Sequence, residues 1–214
     1  METKKYKLTD ETMTIYGRTL YRIEALRDFS DVKKGDKGGY IEKEENLSQN
    51  GNCWVYDDAM VYGSARVYDN AKVYDYAEVY DKAWVYGNAE VFNNAQVYCN
   101  ALVIDNARVY GKAEVYHNAR IFGNARIYGN AEIRGDAEIA SNSDYIVFKN
   151  WWSSGRYFTW TKSNNMWKVG CFYGTGKELI DKAYKDSELS GREYEKIVKY
   201  VESTLDVTML TNLK

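Results

Sequence analysis

The chain has 214 residues, with 29 basic and 31 acidic side chains and a formal net charge of −2. A charge this close to balance argues against nonspecific duplex binding through a basic face, and against a strongly acidic mimic of DNA. The three cysteines are far apart and form no Cys-x-x-Cys pair, and no apolar signal core or membrane span is evident, so we expect a reduced, cytoplasmic protein.

Residues 1–52 precede a regular repeat and are predicted to form a terminal cap. The stretch 14–23 predicts a β-hairpin with a glycine-containing turn. Ile41, Leu47 and Cys53 are spaced by six residues, so we expect irregular coils to begin here. Because a solenoid needs atypical terminal units to close its open ends, we interpret this segment as the N-terminal cap.

A six-residue repeat fills residues 53–143. Every sixth residue from Val55 to Ile139 is valine or isoleucine, and every sixth residue from Ala59 to Ala137 is alanine. Each unit alternates small, variable, aliphatic and aromatic residues, which predicts a very short strand with one buried face; the Gly, Asp or Asn residues that follow predict a corner. Three units make one triangular turn, so we predict a mainly β protein with about five triangular coils stacked as parallel ladders.

The pairing of Val55 with Ala59, continued through Ile133 with Ala137, resembles the hexapeptide-repeat, left-handed β-helix family. The resemblance implies a left-handed parallel β-helix. One position departs from the family, because the residue after the aliphatic one is usually tyrosine here, where the family often has a small residue. The flanking stretches 6–12, 38–42 and 166–176 resemble uncharacterised hexapeptide-repeat proteins carried by phages and prophages.

Residues 144–214 differ in kind and predict a small, aromatic-rich α+β domain. Strands are predicted over 145–149, 156–162 and 166–173, and helices over 176–185 and 190–204. Ser190, with Glu193 three residues later, is a predicted capping box. Three tryptophans are candidates for stacking a base or anchoring a protein partner, with core packing as the alternative. They are Trp151, Trp152 and Trp160.

The three units of each turn give the solenoid three faces, and residues eighteen apart should lie on the same face. The face that contains Trp84 is the most apolar in its middle. Its apolar members are Trp84, Tyr86, Leu102, Ile104 and Phe122. Large apolar patches on soluble proteins usually mark contacts, so we expect this face to be covered by a neighbouring subunit or by the C-terminal domain. Trimer packing is common in the resembled family, so the resemblance implies a homotrimer, with another homo-oligomer as the alternative. The tyrosine columns on the other faces either support stacking or form a binding surface.

One corner column is a weak candidate for catalysis. Asp81, Cys99 and His117 are eighteen residues apart and should stack about 4.8 Å from one another. A Cys–His pair could serve nucleophilic catalysis or bind a metal, but this position accepts any turn former and offers only two soft ligands. The resembled family includes acyltransferases with a histidine base and a coenzyme A pocket, yet no insertion breaks the repeat here.

Three functions remain open on the sequence alone. The first, which we favour, is a non-catalytic binding protein on a rigid solenoid; the phage resemblance would make it an inhibitor of a host defence protein or ligand. The second is an acyltransferase with an acyl-coenzyme A donor. The third is a structural assembly protein. We expect no cofactor and no metal, and nucleic acid is not indicated as a partner.

Overall fold

The chain folds into a parallel β-solenoid with an N-terminal hairpin, a C-terminal antiparallel sheet and two C-terminal helices. The computed structural model describes residues 4–152 and 154–211, with side chains described as far as residue 205. The predicted mainly β solenoid is confirmed. It has about six turns, one more than the repeat predicts, because the cap contributes an additional turn.

The N-terminal cap consists of the strands β1 (Tyr6–Ile15), β2 (Arg18–Ala25) and β3 (Lys37–Ile41). β1 and β2 form the predicted hairpin, and Gly17 supplies the left-handed conformation of its turn (φ 74°). β3 pairs antiparallel with β2 on one edge and parallel with the solenoid on the other. The cap therefore continues a solenoid sheet without a break in hydrogen bonding.

The first turn of the solenoid is irregular. Ile41 lies beside Val61 and Leu47 beside Val67, as the six-residue spacing predicts. The prediction fails at Cys53, because Val55 takes the next aliphatic position and pairs with Val73. Two more residues than the repeat allows separate Leu47 from the following core position, and Cys53 is buried beside the cap instead.

Fifteen two-residue strands form the regular repeat, and each ends on an aliphatic residue. They are β4 (Trp54–Val55), β5 (Met60–Val61), β6 (Arg66–Val67), β7 (Lys72–Val73), β8 (Glu78–Val79), β9 (Trp84–Val85), β10 (Glu90–Val91), β11 (Gln96–Val97), β12 (Leu102–Val103), β13 (Arg108–Val109), β14 (Glu114–Val115), β15 (Arg120–Ile121), β16 (Arg126–Ile127), β17 (Glu132–Ile133) and β18 (Glu138–Ile139). Every third strand pairs in parallel, which gives three sheets.

The core of the solenoid is the stacked aliphatic and alanine columns. Val85 pairs directly with Val103, and both side chains have no exposed surface. The alanines from Ala59 to Ala137 are equally buried at the inner corners. The residue that starts each corner is left-handed, as at Asp81 (φ 57°), which explains the preference for Gly, Asp and Asn there.

The C-terminal segment contains a four-stranded antiparallel sheet and two helices. Its strands are β19 (Tyr145–Lys149), β20 (Tyr157–Thr161), β21 (Met166–Val169) and β22 (Phe172–Gly174), and its helices are α1 (Gly176–Asp186) and α2 (Glu188–Thr211). The predicted capping box at Ser190 is wrong, because α2 begins two residues earlier and Ser190 lies within it. Thr175 and Glu178 form a capping box at the start of α1.

The C-terminal sheet lies on the last turn of the solenoid. Thr159 and Ser163 accept hydrogen bonds from the backbone N–H groups of Glu132 (3.0 Å) and Glu138 (2.8 Å). Lys168, which is nearly buried, forms an ion pair with Glu132 (2.5 Å). The sheet therefore closes the C-terminal end of the solenoid. No described helix is both long enough and apolar enough to cross a membrane.

Candidate binding surfaces

One solenoid face carries the predicted apolar strip, and we call it the Trp84 face. It consists of the outward side chains along β6, β9, β12, β15 and β18. Its two columns are Arg66, Trp84, Leu102, Arg120 and Glu138, and Tyr68, Tyr86, Ile104, Phe122 and Ala140. Trp84 is 42% exposed, and the other apolar members of the middle rungs are half-buried. The structure therefore brings together the five residues that the repeat predicts.

The C-terminal segment reaches the Trp84 face only at its last rung, at Glu138, and leaves the apolar middle open, contrary to one of our two expectations. Its hydrogen bonds and ion pair to the solenoid reach the last turn, at Arg126, Glu132, Asp136 and Glu138. Trp84 is thus left open by its own chain. Coverage of this face by a second subunit stays a prediction.

A groove of about 620 Å³ lies at the N-terminal end of the Trp84 face. Trp84 and Tyr68 meet edge to face in its wall, with ring centroids 6.0 Å apart. Glu44, Glu45 and Arg66 are its charged lining residues, and the Glu44 carboxylate is paired with Lys4 (2.7 Å). The groove is therefore amphipathic and continuous with the apolar strip.

The tyrosine columns of the other faces are stacked ladders. Tyr62, Tyr80 and Tyr98 follow one another with ring centroids 5.0 and 4.8 Å apart and nearly parallel planes. The Tyr98 hydroxyl donates to Glu114 (3.0 Å), and burial together with this carboxylate raises the pKa of Tyr98. These contacts favour the interpretation that the ladders support the stacking of successive turns.

Arg134 is the last member of the ladder that contains Tyr62, Tyr80 and Tyr98, a role that the sequence did not indicate. Its guanidinium lies over the ring of Tyr116 (5.3 Å) and over the ring of Tyr173 from the C-terminal sheet (4.5 Å). The sequence shows that an arginine stands where the repeat has tyrosine. Its second aromatic partner, Tyr173, lies 39 residues further along the chain. Only the fold brings that partner into contact.

The corner column of Asp81, Cys99 and His117 is assembled as the repeat predicts, and its contacts are structural. Asp81 Oδ2 accepts a hydrogen bond from the backbone N–H of Cys99 (3.2 Å). The same bond recurs at other corners, for example from Gly87 to Asp69 (3.2 Å). The carboxylate of Asp81 therefore satisfies the backbone of the next turn.

Neither catalysis nor metal binding gains support at this corner. His117 lies beside Tyr116 (5.1 Å), and its Nδ1 has no hydrogen-bond partner among the described residues. The described part of the chain contains no cluster of three His, Cys, Asp or Glu side chains arranged to hold a metal ion. A nearby groove of about 500 Å³ is lined in part by Asp81 and Cys99, but His117 is not among its lining residues.

The three candidate tryptophans of the C-terminal segment have different environments. Trp151 is 84% exposed. Trp152 is half-buried against Phe158, and its Nε1 has no acceptor among the described residues. Trp160 is buried in the core of the segment and donates to Asn165 (2.9 Å), so its assignment as a binding residue is corrected to core packing.

Two comparisons with known proteins bear on the solenoid. A family model described as the YdcK beta solenoid repeat matches residues 55–67 and 119–135. The uncharacterized acetyltransferase YdcK of Escherichia coli (strain K12) is 40% identical over 62 residues, which cover 25% of this chain and 19% of that protein. The chain is thus similar to a β-solenoid repeat, and the match spans about a fifth of the relative's length.

The cap contains one further polar cluster that the sequence did not predict. Lys5 is fully buried, and its Nζ donates to the backbone oxygen of Cys53 (2.8 Å) and contacts the Cys53 thiol (3.3 Å). Burial lowers the pKa of Lys5 and raises the pKa of Cys53. Lys5 precedes the repeat, so its position in the sequence gave no signal of this environment.

Proposed function

We propose that this chain is a non-catalytic binding protein, in which a rigid solenoid carries a recognition tip at its C-terminal end. The carrying observation is that Trp151 is 84% exposed and lies edge to face with Trp152, at a ring distance of 6.3 Å. Tryptophan is enriched among residues that dominate binding energy, because it offers a large rigid surface with a polar N–H. The tip is a turn between β19 and β20, and the sheet that carries it contacts the last solenoid turn through Thr159 and Ser163.

The partner we propose at this tip is a protein. An exposed tryptophan paired edge to face with a second tryptophan is typical of the aromatic anchors that dominate protein–protein binding. The resemblance of the flanking stretches to phage and prophage proteins supports a finer form of the proposal. In that form the chain is an inhibitor that binds a host defence protein, or a host ligand, in the cytoplasm.

We expect Trp151→Asn to abolish capture of the partner from a lysate of the native cell, because the substitution removes the exposed indole. The matched control is Tyr16→Asn, since Tyr16 is also 84% exposed but lies in the hairpin turn at the opposite end. Quantitative mass spectrometry of the captured proteins should show one protein lost with the first variant and retained with the second. Equal recovery with both variants would contradict the proposal.

A second function, acyl transfer, is favoured by one observation, that the E. coli relative is named as an acetyltransferase. Such an enzyme needs a base to remove a proton from the attacking group, and His117 is the chain's single histidine. The likeness covers 25% of this chain and 19% of the relative, and the matching family model is a solenoid repeat, so the comparisons support a shared scaffold more directly than a shared reaction.

We expect acetyl-coenzyme A to leave the melting temperature of the wild-type protein unchanged. A protein that binds its donor would be stabilised by about 2.7 kcal/mol at a ligand concentration of about 100 times Kd. Differential scanning fluorimetry of the wild type and His117→Asn, with and without acetyl-coenzyme A, makes the measurement. A rise in the wild type that is lost in the variant would favour acyl transfer over binding.

A further inference from the structure

We propose that the Trp84 face binds the same face of a second copy of this chain, with the two solenoids antiparallel and a two-fold axis through the rung of Leu102 and Ile104. This goes beyond the proposed function, which concerns the C-terminal tip. In a two-fold dimer each copy contributes the same surface patch, so that patch must be complementary to itself. The order of charges along the Trp84 face indicates that its partner is a second copy and that the two copies are antiparallel.

The first column of the Trp84 face has a charge order that complements its own reverse. From the cap end it is basic, aromatic, aliphatic, basic and acidic, at Arg66, Trp84, Leu102, Arg120 and Glu138. An axis through the middle rung places Leu102 opposite Leu102 of the second copy. It places Trp84 opposite Arg120 of the second copy, and Arg66 opposite Glu138 of the second copy. The result is two cation–π pairs and two ion pairs around an apolar centre.

The second column is complementary in size under the same symmetry. Ile104 lies opposite Ile104 of the second copy, and Tyr86 opposite Phe122. Tyr68, the largest side chain at the cap end, lies opposite Ala140, the smallest at the other end. Every contact in this column is apolar or aromatic, so it would bury surface that the chain alone leaves half-exposed.

Two other arrangements of the two copies do not match the charges. A two-fold axis midway between the rungs of Leu102 and Trp84 would place Arg66 opposite Arg120 of the second copy, and these like charges repel. A parallel arrangement keeps equal rungs level, so Arg66 and Glu138 stay four rungs apart, about 19 Å at the spacing of β-strands. Arg66 has no ion pair with a described residue, and Glu138 has only the exposed pair with Arg120 (3.3 Å). Both charges are therefore available to a second copy.

The size of the face predicts a weak dimer. The five rungs span only about 19 Å along the solenoid axis at the spacing of β-strands, so we expect a small contact that dissociates at roughly micromolar concentrations. Sedimentation velocity of the full chain, from about 1 µM to about 100 µM, should show a monomer that becomes a dimer as concentration rises.

A charge exchange tests the antiparallel register. Arg66→Glu should weaken the dimer by about tenfold or more, since the symmetry places two like-charged pairs in the interface. The double variant Arg66→Glu/Glu138→Arg should restore it, because the two residues meet across the interface. Arg108→Glu, on a different solenoid face, is the matched control and should leave dimerisation unchanged. Both Arg66 and Arg108 are exposed, so folding should be retained, and melting curves verify this.

Three results would overturn the proposal. A monomer at every concentration shows that a second copy does not cover the face. A dimer or trimer that the double variant fails to restore shows that Arg66 and Glu138 do not meet, as in a parallel assembly. A dimer that is insensitive to Arg66→Glu places the interface elsewhere. The capture experiment with Trp151→Asn is read separately, because Trp151 does not belong to the Trp84 face.

Discussion

Trp54→Ala is expected to lower the free energy of unfolding by about 3–5 kcal/mol, the range for removing a buried tryptophan. Trp54 is 1% exposed and stands where the cap meets the first regular turn. Its ring contacts Phe29 edge to face at 5.3 Å and Tyr6 at 6.0 Å. The substitution would leave a cavity between the two parts of the core that the cap joins.

The close packing around Trp54 explains why the cavity would persist. Gly38 lies so near that a Cβ there would be 2.7 Å from the Trp54 ring and 2.5 Å from the backbone oxygen of Val55. Backbone on that side is fixed by the pairing of β3 with the solenoid, so the walls cannot collapse into the space. The cap should therefore loosen before the regular turns do.

The matched control for Trp54→Ala is Trp84→Ala. Both tryptophans are the first residue of a two-residue strand, but Trp84 is 42% exposed. Its replacement should cost roughly 1 kcal/mol or less, measured at a protein concentration low enough to keep the chain monomeric. Guanidinium unfolding of both variants gives the comparison. Equal losses would show that Trp54 does not hold the cap in place.

Raising the pH above about 10 is expected to unfold the solenoid, because its tyrosines must ionise within stacked ladders. The ordinary pKa of tyrosine is 10.0, and burial raises it to about 12 at Tyr68 and at Tyr56. Burial and neighbouring glutamates raise the pKa of Tyr62 and Tyr98 as well. The tyrosines contribute this stability in full below pH 10, and it is lost as the pH rises through the folded-state values.

Thermal melting at a series of alkaline pH values measures this loss of stability, and the absorbance of tyrosinate is recorded in parallel. We expect the absorbance of the ladder tyrosines to rise together with unfolding. Tyrosines that ionise near pH 10 while the fold stays intact would contradict the expectation.

A matched variant for the alkaline experiment is Tyr80→Phe/Tyr98→Phe. Phenylalanine is already accepted in a ladder, because Phe92 stacks between Tyr74 and Tyr110 at 4.7 and 4.8 Å. The variant should keep the fold at neutral pH and unfold at a higher pH than the wild type, since two groups no longer ionise. An unchanged alkaline midpoint would show that the ladder tyrosines do not set it.

The repeat made the solenoid predictable in detail, because a period of six fixes which residue faces inward. The pairing of Val85 with Val103 and the composition of the Trp84 face both follow from counting eighteen residues. The first turn was less predictable, since two extra residues before Val55 displace Cys53 from the sequence of core positions. Register is readable only where the spacing is constant.

The candidate site in the C-terminal segment was only partly predictable. Trp151 and Trp160 lie in the same aromatic stretch, yet one is 84% exposed and the other 2%. That difference depends on where α1 and α2 pack against the sheet, and no periodicity in residues 145–175 indicates it. The stacking of Tyr173 on Arg134 was hidden for the same reason, because it joins a repeat to a segment without one.

Because the same left-handed corner recurs in every unit, the solenoid can be lengthened by whole triangular turns. Each rung contacts only the rung above and the rung below, so a tandem duplication of one triangular turn would repeat existing contacts without creating new ones. The distance between hairpin and tip would grow by about 4.8 Å for each duplicated turn. Evolution can thus tune the reach of this molecule by duplicating the coding sequence of one turn at a time, provided that each corner residue adopts the left-handed conformation, as Asp81, Cys99 and His117 do.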